Sequence, residues 1–182
     1  MTDKPENILD TAPVSIWPTV WKYSFILAAC SFAYTLILYY TGLAAHTGAG
    51  LLSFVITIVL LVLGMRKYRS VNNGYMTFGK ATITGILISI IASVLSSVLN
   101  AVYLAFIDNS VLAGLSEKTL QKLQETPGLT QQQIDMMMKL YQNLLFTPVG
   151  MLITGIISGI IGGVIISLIL AAILKKEPPI TG

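Results

Sequence analysis

Residues 154–179 read "TGIISGIIGGVIISLILAAILKKEPP", and how this stretch is read decides the fold. From Val149 to Leu174 every residue is apolar or small, yet Gly155, Gly159, Gly162 and Gly163 sit within a run that reads as helical. In water each interior glycine would cost a helix about 1 kcal/mol. A bilayer changes the balance. Its hydrocarbon core needs about 20 apolar residues to be crossed as a helix, and there small residues allow the close helix contact that holds spans together.

The rest of the chain fits that solvent. Of its 182 residues 54% are hydrophobic and 10% charged, against about 25% charged in an ordinary soluble domain; the mean hydropathy is +0.78. No Asp, Glu, Lys or Arg occurs in 23–65, 81–107 or 140–174. The second gap holds one span. The first holds two, with "TGLAAHTGAG" (41–50) supplying the turn, and the third holds a last span after an amphipathic stretch. The expected fold is an all-α integral membrane protein with spans at about 20–41, 50–65, 80–107 and 148–174. These form one membrane domain over 20–176, between polar tails at 1–19 and 177–182. Residues before the first span lack a basic stretch, short apolar core and small-residue cleavage site, so the first helix is expected to be retained. Cys30 is the only cysteine, which excludes an intrachain disulfide.

The formal charge of +3 and pI near 9.0 would suit nucleic acid, but the basic residues gather at span ends. There they act as an orientation signal. With both termini cytoplasmic, the inner side carries Lys4, Lys22, Arg66, Lys67, Arg69, Lys80, Lys175 and Lys176, and the outer side only Lys118, Lys122 and Lys139. That bias predicts a multi-pass protein of the cell inner membrane with 108–147 outside. Trp17, Trp21 and Tyr23 at one end, and Tyr39, Tyr40 and Tyr103 at the other, fit aromatic belts. The second span is expected to be short, with His46 at its outer mouth.

Segment 108–147 carries two helical stretches broken at Pro127-Gly128. The second opens with Thr130 and Gln133 at capping-box spacing. Ile134, Met137, Met138, Tyr141, Leu144 and Leu145 recur at three- and four-residue intervals, the mark of an amphipathic helix. This extracytoplasmic stripe calls for cover from the membrane–water interface, the span ends, a partner protein or a second copy.

In the fourth span Gly155, Gly159, Gly163, Ser167 and Ala171 fall four apart and share one helix face. The third span repeats the pattern with Ala81, Gly85, Ser89, Ser93, Ser97, Ala101 and Ala105. These two stripes are read as facing seams, either within one chain or between copies. The plainer alternative is that small residues merely fill out apolar helices.

Two stretches carry a family resemblance. "GYMTFGKATITGILISIIASVLSSVLNAVYLAFID" (74–108) has a Gly-Tyr before Phe-Gly-Lys, a long Ile/Ser-rich span and a terminal Ile-Asp. "LTQQQIDMMMKLYQNLLFTP" (129–148), with the later "IISLILAAILKK" (165–176), has a polar helix, its proline and a last span ending in lysines. Together they resemble the bacterial membrane-protein family known as domain of unknown function 4199, found mainly in Bacteroidetes-type bacteria. The resemblance implies a four-span inner-membrane protein and brings no activity with it. The loop here is poorer in Glu than the family pattern, which weakens any cation-binding role for it.

Candidate chemistry is sparse. His46 has no Cys, His, Asp or Glu set around it at metal-ligand spacing, and reads as a loop residue. Asn100, the one strongly polar side chain well inside a span, reads as a helix-bridging amide or as lining for a solute path. Asp108 ends the third span. Met136, Met137 and Met138 have thioethers that suit Cu(I), but consecutive residues diverge on a helix, so packing is the better reading. "VNNGYMTFGK" (71–80) is a turn without phosphate-cradle spacing. No catalytic residues, cofactor or metal are expected, and no nucleic-acid partner. The expected role is a non-enzymatic scaffold or accessory subunit in the lipid bilayer, partnered by another membrane protein or its own copies. The alternative is an oligomeric channel or transporter for a small solute or ion, lined by Ser89, Ser93, Ser96, Ser97 and Asn100.

Overall fold

Short caps and turns cut the chain into helices where its composition allows. In the computed structural model, which describes residues 14–44 and 47–177, these are α1 (Trp17–Thr41), α2 (Thr47–Val71), α3 (Phe78–Phe106), α4 (Ser110–Gln124), α5 (Gln131–Leu144) and α6 (Pro148–Leu174). Four of them, α1, α2, α3 and α6, are long and apolar enough to cross a membrane. The described residues contain no β-strand, only one isolated bridge. The N-terminal tail to residue 13, His46 and residues 178–182 lie outside the described residues.

Local chemistry accounts for the boundaries. Thr147 caps α6 by accepting from Gly150 N at 2.9 Å, and Pro148 occupies the first turn, where its missing N–H costs nothing. Thr130 and Gln133 form a complete capping box on α5. Gly42 closes α1 in the left-handed region (φ 68°), with its N–H returning to Tyr39 O and that of Leu43 to Leu38 O. The α2–α3 turn takes two left-handed residues, Asn73 and Gly74.

Helix α2 runs well beyond the expected 50–65. Arg66, Lys67 and Arg69 do not end it, because the exposed Arg66 and Lys67 can carry their charge outward from a continuing helix and the half-buried Arg69 finds an acceptor in Leu174 O. The remaining spans begin and end within three residues of their expected bounds.

The spans run alternately up and down. The α3–α6 pair is the most extensive; α1 packs on α3, α2 packs on α1, and α2 reaches α3 and α6 less. The buried core includes Leu27, Leu61, Met65, Ile88, Ile166 and Leu170. At the end bearing Trp17 and Lys22, Met76 and Lys176 exchange backbone hydrogen bonds of 2.8 Å, so the C-terminus of α6 is tied to the α2–α3 turn. Arg69 Nη1 donates to Leu174 O at 3.2 Å, and Lys176 Nζ stands 5.7 Å from the Tyr75 ring centroid. This is the basic end. At the opposite, arm end, α4 and α5 fold against each other.

Candidate functional site

The two small-residue stripes face each other inside one chain. A Cβ added at Gly163 would collide with Ser89 Cβ and stand 3.7 Å from Ser89 Cα. At Gly159 it would collide with Ser93 Cβ, 3.6 Å from Ser93 Cα. At Gly155 it would meet the Ser97 hydroxyl, with Ser97 Cβ at 3.4 Å. The register steps four residues up α6 as it steps four down α3. One level further the roles exchange: a Cβ at Gly85 would stand 2.8 Å from Ser167 Cβ. Ala81 and Ala171, next in the same register, are completely buried.

This seam rests on contact rather than on hydrogen bonds between its helices. Ser89 Oγ donates to Gly85 O at 2.9 Å and Ser93 Oγ to Ile90 O at 2.9 Å, both within α3. Such back-bonding lets a hydroxyl sit in an apolar contact without reaching across it. What binds α6 to α3 is therefore dispersion over closely spaced backbones, each atom pair contributing about 0.1–0.2 kcal/mol. Ser167 Oγ is buried at the seam without a partner. The α1–α3 contact does carry a hydrogen bond, from Ser24 Oγ to Ile88 O at 3.3 Å. Helix α2 enters the same region through Gly64, where a Cβ would stand 2.8 Å from Ile88 Cδ1 and 3.3 Å from Tyr23 Cγ.

The other sequence candidates are scattered. Asn100 Nδ2 donates to Ser96 O at 2.8 Å in its own helix, and its buried Oδ1 has no partner. Asp108 Oδ1 accepts from Ser110 N at 3.0 Å, which ties the end of α3 to the start of α4. Met136 is 63% exposed while Met138 is 7% exposed, so consecutive methionines point apart. Among the described residues no three His, Cys, Asp or Glu side chains form a group able to hold a metal ion.

At the arm end, the Lys118 ammonium donates to Gly42 O, setting a cation at the C-terminus of α1, where the helix dipole favours it. Tyr39 and Tyr103 stack beneath, with ring centroids 6.0 Å apart. A cleft of about 360 Å³ opens between α1 and α2, lined by Tyr34, Ile37, Leu38, Thr41, Leu43, Gly48, Ala49 and Leu52. On α5, Ile134 and Met138 are buried, Met137, Tyr141 and Leu145 half-buried, and Leu144 is exposed. Sequence reasoning placed Leu144 in the stripe but missed Met136 and Leu140, which form with it a second, exposed row whose four-residue spacing was there to be seen.

A protein-family model matches residues 22–176, from the first turns of α1 to the lysine of the Met76 bridge. Its description is protein of unknown function (DUF4199). The chain belongs to this family. The DUF4199 match takes in α2 through α6 whole and nearly all of α1, so the family extends over the full four-span bundle and its arm. Four apolar helices and this membership make it a multi-pass membrane protein. No curated protein and no solved structure matches the chain.

Proposed function

We propose that this DUF4199 member is a non-enzymatic scaffold or accessory subunit of a bacterial inner membrane, with both termini cytoplasmic and the α4–α5 arm outside. The observation that carries the reading is the filled α3–α6 seam. Ser89, Ser93 and Ser97, which a channel would need as lining, are buried against Gly163, Gly159 and Gly155. A contact with no room for one added carbon has no room for a hydrated solute. Transport cores usually bring intramembrane ionisable groups or broken helices together at mid-membrane; α3 and α6 run unbroken and uncharged between Lys80 and Asp108 and between Pro148 and Leu174.

Flux assays on the purified chain in proteoliposomes test this. The expected outcome is no selective flux, with equal leak in wild type and Asn100→Leu. Selective flux that Asn100→Leu abolishes would overturn the scaffold reading.

The orientation is supported by the gathering of Arg66, Lys67, Arg69, Lys80, Lys175 and Lys176 at the end where α2 and α6 finish and α3 begins. In a Cys30→Ser background, Lys122→Cys is expected to react with an impermeant maleimide added outside the inner membrane. Reaction from the cytoplasmic side alone would reverse the topology.

A further inference from the structure

Helix α5 has three sectors where an ordinary surface helix has two. Ile134 and Met138 are buried on the protein side, with Tyr141 and Leu145 half-buried beside them. Gln131, Gln132, Asp135, Lys139, Gln142 and Asn143 form a polar sector. Between these, Met136, Leu140 and Leu144 stand four residues apart on one face and are 63%, 53% and 63% exposed. Gln133 reaches toward the same sector in the first turn, but its side chain is held by the capping box with Thr130.

The attachment of α5 indicates what covers this row. Leu144 ends α5 and Pro148 begins α6, and the Leu144 carbonyl presses so closely on Gly150 that a Cβ there would collide with it. The C-terminal end of the row therefore sits at the first turn of a membrane span. On that span Val149, Ile153, Ile157, Ile161 and Ile165 form an outward row, each more than half exposed, which lipid must cover. The exposed row of α5 ends at Leu144, five residues before this lipid face begins at Val149.

We propose that α5 lies in the membrane–water interface of the leaflet at the arm end, with Met136, Leu140 and Leu144 among the lipid chains and its polar sector toward water. The occupant of the row is the bilayer. The only charges on α5, Asp135 and Lys139, lie in the polar sector, so apolar burial drives the contact and anionic lipid is not required. This inference goes beyond the scaffold reading and does not depend on it.

Nitroxide labels placed singly at positions 138, 140, 142 and 144 of the full-length Cys30→Ser chain, in phosphatidylcholine vesicles, test the assignment. Labels at 140 and 144 are expected to collide severalfold more with oxygen than with a water-soluble nickel chelate, the label at 142 the reverse, and that at 138 little with either. Raised salt should leave the pattern unchanged. Nickel access at 140 equal to that at 142 would put the row in water and overturn the proposal. Shielding of 140 from both reagents would mean a protein cover and overturn it equally; spin–spin broadening lost on dilution with unlabelled chain would identify that cover as a second copy. A Leu140→Trp chain in which Trp17→Phe and Trp21→Phe remove the native tryptophans, quenched by brominated lipid, reports the same lipid contact without a label on α5.

Discussion

The two ends of α2 have opposite fates. Toward the basic end, Leu61, Met65 and Tyr68 are at most 1% exposed, wedged against its neighbours where Gly64 and Gly85 admit side chains from across the contact. Toward the arm end, Leu51, Leu52, Phe54 and Val55 are all more than half exposed, and a Cβ at Gly50 would meet open space. Hydropathy does not foretell this: the buried end carries Arg66, Lys67 and Arg69 while the exposed end carries no charge, and lipid and protein interior are both apolar. It says which residues can enter a bilayer, not which will be packed in protein. Packing needs small residues in register on both partners, and α2 finds them only near the basic end.

The largest effect should come from filling the seam where it is tightest. Gly163→Ile puts a branched side chain onto Ser89, and overpacking of this kind costs about 1–3 kcal/mol. Thermal unfolding in detergent should fall clearly for this variant and stay near wild type for Gly162→Ala, whose added Cβ meets nothing. Gly155→Ala should fall between them, since the nearest obstruction there is the Ser97 hydroxyl, which can rotate. Equal unfolding temperatures across the three would remove the seam as the element that holds the bundle.

That ranking also marks how far the sequence could be read. Charge-free gaps are enough to count spans, because a bilayer forbids charges more strictly than it chooses among apolar residues. Four-residue spacing places Gly155, Gly159 and Gly163 on one face, but spacing does not tell whether that face meets its own chain or a copy; the contacts with Ser97, Ser93 and Ser89 do. The length of α2 was hidden because Arg66, Lys67 and Arg69 mark where charge begins rather than where helix ends. The Met76–Lys176 bridge joins residues far apart in sequence through backbone atoms alone, and backbone pairing of two residues leaves no side-chain pattern. On α5, apolar residues occupy so wide an arc that the stripe read from periodicity took in Leu144 from the exposed row and left out Met136 and Leu140.

A smaller effect is expected at the basic end. Arg69 supplies a donor to Leu174 O, one of the last carbonyls of α6, which has no helical partner of its own. Arg69→Ala should cost roughly 1 kcal/mol, within the usual range for a hydrogen bond. Hydrogen exchange should rise over the last turn of α6, while Arg69→Lys, with a shorter reach and no planar fork, should restore only part of the protection. Unchanged exchange in Arg69→Ala would show that the Met76–Lys176 bridge holds this end unaided.

The smallest effect should come at the open end, where Tyr34 OH donates to Ala49 O at 2.8 Å and joins α1 to the first turns of α2. Inside a helix that carbonyl already faces the N–H four residues on, at Ser53, so the phenol occupies its second lone pair. Tyr34→Phe removes the hydroxyl, keeps the ring and leaves the carbonyl bonded. Its cost should lie at the bottom of the range for a hydrogen bond, about 0.5 kcal/mol. The unfolding temperature should barely move, while hydrogen exchange in the first turns of α2 increases. If Tyr34→Phe instead lowered the unfolding temperature as much as Gly163→Ile, the exposed half of α2 would be holding the bundle as firmly as the seam, and the contrast between the two ends would fail.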